Sequence, residues 1–425
     1  MNKINVGTDL YLKGRIGWKG LSKDEYLEKS QFRIINGTAL EGKFINWKKC
    51  GFISEERYEE SQEIKLKEND ILISKDGTLG KIGYVKNLKA PSTVASGIFV
   101  LRNIISDKLD TDYLYHFLKS NIFTDFINRM KASGSTILHL YQRDLAQLEL
   151  DVPEIKLQKR IAQVLNFIDS KIELNNRINA DLEAMAKTLY DYWFVQFDFP
   201  DKNGKPYKTS AGRMAWSDEL KREIPEGWEV KRLYEIADLK AGGDKPKNYS
   251  DIQTDTHQIP IYSNGINKDG LYGFTDEAKI LKPSITVSAR GTIGYCAFRN
   301  KPFVPIIRLI VVTPKNPYEA KFLYERLKSI EFENSGSVQQ QLTVPQISGL
   351  KVVMPSSEIL INYDALTSSG MKIIEINKGA NQKLAELRDW LLPLLMNGQV
   401  KVEGEISKTV NAYKSEALPV NQLVT

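Results

Sequence analysis

Residues 172–193, "IELNNRINADLEAMAKTLYDYW", and residues 374–395, "IEINKGANQKLAELRDWLLPLL", decide the fold. Laid over each other without a gap, they share Ile172-Glu173 with Ile374-Glu375, Asn175 and Asn179 with Asn377 and Asn381, and Leu182 and Leu189 with Leu384 and Leu391. The same offset of 202 residues carries upstream to Gly134-Ser135 with Gly336-Ser337, Leu140 with Leu342, Leu148 with Leu350 and Pro153 with Pro355. About eleven identities in about 60 positions, against roughly three or four by chance, mark an internal duplication.

The spacing inside the repeat is helical. Ile161, Leu165, Ile168, Ile172, Leu182, Ala186, Leu189 and Trp193 fall on one face, and Asn175 and Asn179 fill the gap in the series. Such a seam is that of a coiled coil, in which a buried Asn sets register at some cost in stability. A lone amphipathic helix with an exposed polar patch also accounts for the spacing. The same Asn pair in both copies favours two helices that partner each other, with Ile172, Asn175, Asn179, Leu182, Ile374, Asn377, Asn381 and Leu384 as the core of the pair. Each helix of about 40 residues spans about 60 Å. Joined through an intervening domain, the two pack most easily antiparallel, as a symmetric homodimer written in one chain. Tyr190, Tyr192, Trp193 and Phe194 close the first helix and Trp390-Leu391-Leu392 the second. Both stretches are too apolar for open surface and are expected in docking or inter-helix cores.

The parts ahead of the helices diverge, yet one pattern recurs. "SKDGTLGKIGYV" at Ser74 and "SARGTIGYCAF" at Ser288 align Gly77, Thr78 and Gly80 with Gly291, Thr292 and Gly294. The spacing is too short for a nucleotide-binding P-loop and lacks its Ser or Thr. A strand–turn–strand with glycine at positive φ fits both copies. Such a turn either brings Lys75, Lys81 and Arg290 close to a phosphate or is a tight hairpin without a ligand. Further basic and amide side chains gather with aromatics in loops: Lys43, Asn46, Lys48 and Lys49 around Trp47, Lys245, Lys247 and Asn248 beside Tyr249, and Gln339, Gln340 and Gln341. These are the side chains that read base edges and phosphates, although each taken singly is as ordinary on any solvated surface. The segment from Asp201 to Trp216 is polar, with Gly and Pro, and reads as a loop between the halves.

The 425 residues carry a formal charge of +6, compatible with an anionic partner. Cys50 and Cys296 cannot build a disulfide framework, which points to a reducing cytoplasm. No apolar run approaches a membrane span, and the amino terminus has no signal-peptide core. His116, His139 and His257 are too scattered for a metal cluster or triad. "VPEIK" at Val152 has only the tail of a nuclease motif, and "KNPYEA" at Lys315 lacks a proline of the amino-methyltransferase signature. No catalytic constellation remains.

Two unlike domains, each followed by a matching long helix, resemble the specificity subunit of type I restriction-modification enzymes. "IPEGWEV" at Ile224 is similar to that family's opening of a target recognition domain, and "FDFPDKNGKPYKTSAGRM" at Phe197 to its link after the first helix. "LRDWLLPLLMNGQVKV" at Leu387 is similar to the close of its second helix. "RIGWKGLSKDEY" at Arg15 and "INW" at Ile45 resemble one type of first domain, although no Pro-Glu-Gly-Trp opening precedes it.

The resemblance implies an α+β chain: two mixed α/β recognition domains separated by two long helices in an antiparallel coiled coil, a pseudo-twofold repeat. The expected boundaries are 1–153 and 224–355 for the recognition domains, 154–198 and 356–402 for the helices, 199–223 for the linker and 403–425 for a tail. It further implies double-stranded DNA as ligand, read as a bipartite asymmetric target. The implied partners are two modification subunits that bind S-adenosylmethionine and methylate adenine, and restriction subunits that use ATP and magnesium. The chain itself would need no cofactor and do no chemistry. A methyltransferase–specificity fusion would need a further domain for which no room remains. A scaffold that never touches DNA would leave the divergent loops unexplained.

Overall fold

The computed structural model describes residues 2–15, 20–131, 139–332 and 341–400. Gly134-Ser135, Gly336-Ser337, Gln339, Gln340 and the tail from 403 lie outside the described residues. The chain divides into two units, Met1–Asn176 with Lys378–Thr425, and Arg177–Asn377. Each unit therefore holds one front domain and half of each long helix.

In the first unit a four-stranded antiparallel sheet runs in the order Tyr11–Gly14, Ile98–Arg102, Ile71–Ser74, Ile82–Tyr84. A second sheet sets Phe32–Ile35 between Gly51–Ile53 and a parallel Ser92–Val94. The strand Asn2–Asn5 pairs with Glu149–Val152 just ahead of the long helix. The second unit repeats the plan. Its four strands are Ala237–Ala241, Ile310–Pro314, Ser284–Val287 and Cys296–Arg299, and its three are Leu271–Thr275, Ile259–Tyr262 and a parallel Val304–Pro305. Glu229–Arg232 pairs with Lys351–Met354 ahead of its long helix. The amino-terminal strand thus opens the first domain as the strand after Trp228 opens the second, without the opening motif. Short helices at equivalent places, Thr111–Lys119 and Ala320–Lys328, cover the sheets with buried Leu114, Phe117 and Leu118, and Phe322, Leu323 and Leu327.

The long helices span Ile155–Tyr190 and Ser357–Met396. In the first unit Asn175 Nδ2 donates to Asn381 Oδ1 at 2.8 Å, and Asp169 meets Arg388 at 3.0 Å. In the second, Asn377 Nδ2 donates to Asn179 Oδ1 at 2.9 Å, and Tyr363 Oη reaches the Ala186 carbonyl at 3.3 Å. Residue numbers rise on one helix as they fall on the other, so the pair is antiparallel within each unit. A shift of 202 turns one asparagine contact into the other, with donor and acceptor in the same sense. Asn175 and Asn179 are buried, and Ile172, Leu182, Ile374 and Leu384 pack beside them at least half-buried.

The apolar helix ends pack with the other long helix and, in the same clusters, with the front domains. A π turn at Asp191–Val195 widens the end of the first helix and turns Trp193 and Phe194 inward. There Phe194 packs on Phe322, Tyr363 and Trp228 with ring centroids 4.8, 5.0 and 6.2 Å away. In the first unit Leu392, Leu395 and Met396 are buried in the same way against Ile161 and Leu165. Tyr192 and Trp390 stay exposed, the latter at 62%. The expected loop after Asp201 also gains structure: Met214–Ser217 pairs with Arg222–Pro225, and Phe199 stacks on Tyr207 and Trp228 at 4.6 and 5.0 Å.

Polar contacts fasten domain to helix. Asn166 takes the Lys43 ammonium and His116 Nε2 (2.8 Å) on its Oδ1 and donates to Asp112 at 3.1 Å. Burial, with Lys43 beside it, pushes the His116 imidazole down to about 4, so it is neutral here. In the second unit Lys321 meets Asp364 at 2.9 Å.

Asn179→Ala leaves the part-buried Asn377 amide without its acceptor and is expected to cost about 1 kcal/mol in urea unfolding. Asn179→Leu with Asn377→Leu removes both partners and is expected to recover most of that loss. Equal stability of the single variant and the parent would show that the contact carries no weight.

Candidate nucleic-acid interface

The recurring glycine turns are hairpin ends. Gly77, Gly80, Gly291 and Gly294 have φ of 67°, 75°, 70° and 81°, the left-handed region that glycine enters without a Cβ penalty. In the first unit Ser74 N donates to the Lys81 carbonyl and Gly80 N to the Ser74 carbonyl, both at 2.9 Å. In the second, Ser288 N to Tyr295 O and Gly294 N to Ser288 O repeat these bonds at 2.9 Å each. Ser74 Oγ adds an acceptor for Lys81 N at 2.8 Å.

A returning segment is stapled beside each turn. Leu140 N donates to the Lys75 carbonyl at 3.0 Å, and Leu342 N to the Ala289 carbonyl at 2.9 Å. The residue before each buried leucine then faces the turn. His139 Nδ1 pairs with Asp76 in one copy. In the other, Arg290 Nη2 donates to Gln341 Oε1 at 2.7 Å. Asp76 and His139 keep 47% and 30% of their side-chain exposure, and Arg290 is exposed. The His139 ring also rests edge-on against half-exposed Tyr141, centroids 4.7 Å apart.

The structure thus brings Arg290 and Gln341 together and sets Lys75 and Lys81 on the first turn. Lys75 is half-buried, its ammonium 5.1 Å from the Phe99 ring centroid, and desolvation lowers its pKa. Lys48 is exposed, and Lys49 pairs with Glu41 at 2.7 Å on the surface. Asn46 caps the short turn Trp47–Lys49 through its side chain. Lys43 lies elsewhere than a DNA-facing reading requires: its side chain is 14% exposed and holds Asn166 and Asp169 of the helix. Lys245 sits 3.7 Å from the exposed Tyr249 ring, Lys247 is exposed, and Asn248 joins Asp276 (2.6 Å) to His257 (2.8 Å). Asp76, His139 and Tyr141 escaped the sequence reading. The match of Leu140 to Leu342 held the signal, because it sets His139 against Gln341. Among the described residues no group of His, Cys, Asp and Glu could hold a metal ion, and no helix is long and apolar enough to cross a membrane.

The arrangement offers paired hydrogen-bonding side chains on rigid turns, once per unit, and no nucleophile–base pair. The model of the type I restriction modification DNA specificity domain matches twice, at residues 17–184 and 225–386. The chain belongs to this family and carries two of its DNA-recognition domains, the non-catalytic part of a restriction-modification enzyme. It is 28% identical to the specificity subunit of the type I restriction enzyme MjaIX of Methanocaldococcus jannaschii, over 80% of this chain and 81% of that one. With the HindI specificity subunit of Haemophilus influenzae the identity is 23%, covering 86% and 94%. The crystal structure of a type I restriction-modification S subunit from M. genitalium shares the fold at a TM-score of 0.55 and 18% identity, covering 95% of this chain and 96% of that one.

Gly291→Ala meets open space and bears only the left-handed strain, about 1–2 kcal/mol. At Gly294 a Cβ would also come within 2.6 Å of Phe332 Cδ2, so Gly294→Ala is expected to be the less stable of the two by about 1–3 kcal/mol. Urea unfolding of the two variants side by side checks that order.

Proposed function

We propose that the chain reads a bipartite, asymmetric DNA target, one half with each front domain, and docks two modification subunits that methylate adenine, to which restriction subunits join for cleavage. Its place of work on this reading is the cytoplasm. The observation that carries it is one sheet-and-turn plan built twice, with unlike side chains at the turn and like side chains along the helices. Lys48, Lys81, Lys245, Lys247 and Asn248 supply phosphate and groove contacts on this reading, while Lys43, locked to the helix, is not carried forward.

Docking is assigned to the flank of the helix pair. Leu174 and Leu387 in the first unit are 36% and 44% exposed; Met185 and Ile376 in the second are 65% and 69%. The 202-residue shift carries Leu174 to Ile376 and Met185 to Leu387, so each unit presents the same two apolar positions. Exposed apolar side chains repeated in this way fit two copies of one partner.

Replacing residues 1–153 with the corresponding domain of another family member is expected to change one half of the methylated sequence. The other half and the spacer should stay the same when modified genomic DNA is mapped by long-read sequencing. A change in both halves would refute independent reading. Met185→Glu with Leu387→Glu places a charge in each patch and is expected to lower the mass of the assembled complex in light scattering at unchanged melting temperature. Full assembly of that variant would move docking elsewhere.

A further inference from the structure

The glycine turns share their backbone but not their tips. Asp76 occupies in the first turn the place that Arg290 holds in the second, and His139 answers to Gln341 across the repeat. Three backbone hydrogen bonds that hold each turn and its returning segment are the same in kind and within 0.1 Å in length. Each tip residue is bound by the facing side chain and is left with polar atoms that this bond does not use. Two scaffolds of one geometry thus present opposite charges, an acceptor in one copy and a donor in the other.

We infer that these two pairs, Asp76–His139 and Arg290–Gln341, are base-reading positions, and that they make the two half-sites differ at the base facing the turn. The inference rests on the DNA-reading function proposed above and adds which side chains discriminate and for what.

The chemistry of each pair selects a base. Gln341 Oε1 accepts one N–H of Arg290 and adds no charge, so the guanidinium stays cationic and its fork is held in one direction. The remaining N–H groups match O6 and N7 of guanine, the two acceptors adjacent on its major-groove edge. A carboxylate in place of Gln341 would take the charge that guanine is to meet. In the first domain His139 binds one oxygen of Asp76, and the carboxylate has only acceptors to offer. It suits the exocyclic amine of cytosine or adenine and repels the guanine edge. Tyr141 meets the imidazole edge-on, and the Leu140 staple holds the backbone next to it. A bare salt link on the surface would need neither the matched staples nor the glycine turns on both sides.

Full-length chain assembled with its modification subunits is used to methylate genomic DNA, and the modified sites are mapped. Arg290→Lys keeps the charge and loses the fork. It is expected to relax the preference for guanine at one position of the second half-site by about ten- to hundred-fold, with the first half-site unchanged. Arg290→Asp with Gln341→His transplants the first pair and is expected to move that position from guanine to an amino-bearing base. Melting curves of both variants establish that they fold, and Arg290→Lys alone decides the matter should the double variant fail to. An unchanged motif in Arg290→Lys overturns the inference. So does methylation weakened evenly across sequences with the guanine preference kept, because that is the mark of a phosphate contact. Loss of preference in both half-sites overturns it as well. A parent complex that methylates no bipartite sequence removes the DNA-reading function itself and this inference with it.

Discussion

The hydrogen bonds Asn175–Asn381 and Asn377–Asn179 constrain everything built on the helices. An apolar seam of Ile and Leu tolerates a slip by a turn, since most of the buried area is regained in the new register. A buried amide does not, because each orphaned donor or acceptor costs about 1–3 kcal/mol. Register in turn decides which helix end reaches which domain. Leu392, Leu395 and Met396 complete the core of the first unit, and Tyr190, Trp193 and Phe194 that of the second. Shift the helices by one turn and both cores lose their aromatic or aliphatic plug.

Specificity of this kind asks two things of one chain, a frame that stays put and tips that change. The frame is local backbone geometry: glycine at positive φ, a hairpin closed by two or three backbone bonds, and a leucine staple. None of these involves the tip side chain. Asp76 can therefore stand where Arg290 stands without disturbing the sheet beneath, and divergence at the tips is cheap in stability.

Much of the frame was legible in the sequence because it is local. The 3.6-residue period, the Asn pairs and the Gly-Thr-x-Gly turns are written within a few residues of each other, and each appears in the structure where its spacing put it. The shared sheet order of the front domains was not legible. Their strands are mostly three to five residues long, and the same buried face is met by Ile71 and Ile73 in one and Ile285 and Val287 in the other, with insertions between. Side-chain partners far apart along the chain were harder still. Lys43 looked like a surface cation because nothing near it in sequence shows Asn166 and Asp169. Asp76 and His139 meet across a segment that no periodicity spans. The polar link after Asp201 misled for a different reason: its turns were plain, but the stacking of Phe199 on Tyr207 and Trp228 that orders it is tertiary.

The first unit is not a continuous piece of chain, and this bears on the order in which the molecule can be made. Its core is started by residues up to Asn176 and finished by those after Lys378. A ribosome adding about 5–20 residues per second needs roughly ten to forty seconds to cross the interval between them. For that time the core that holds Ile161 and Leu165 lacks Leu392, Leu395 and Met396, while the second unit can close as it emerges. The domain synthesised first is thus the one completed last.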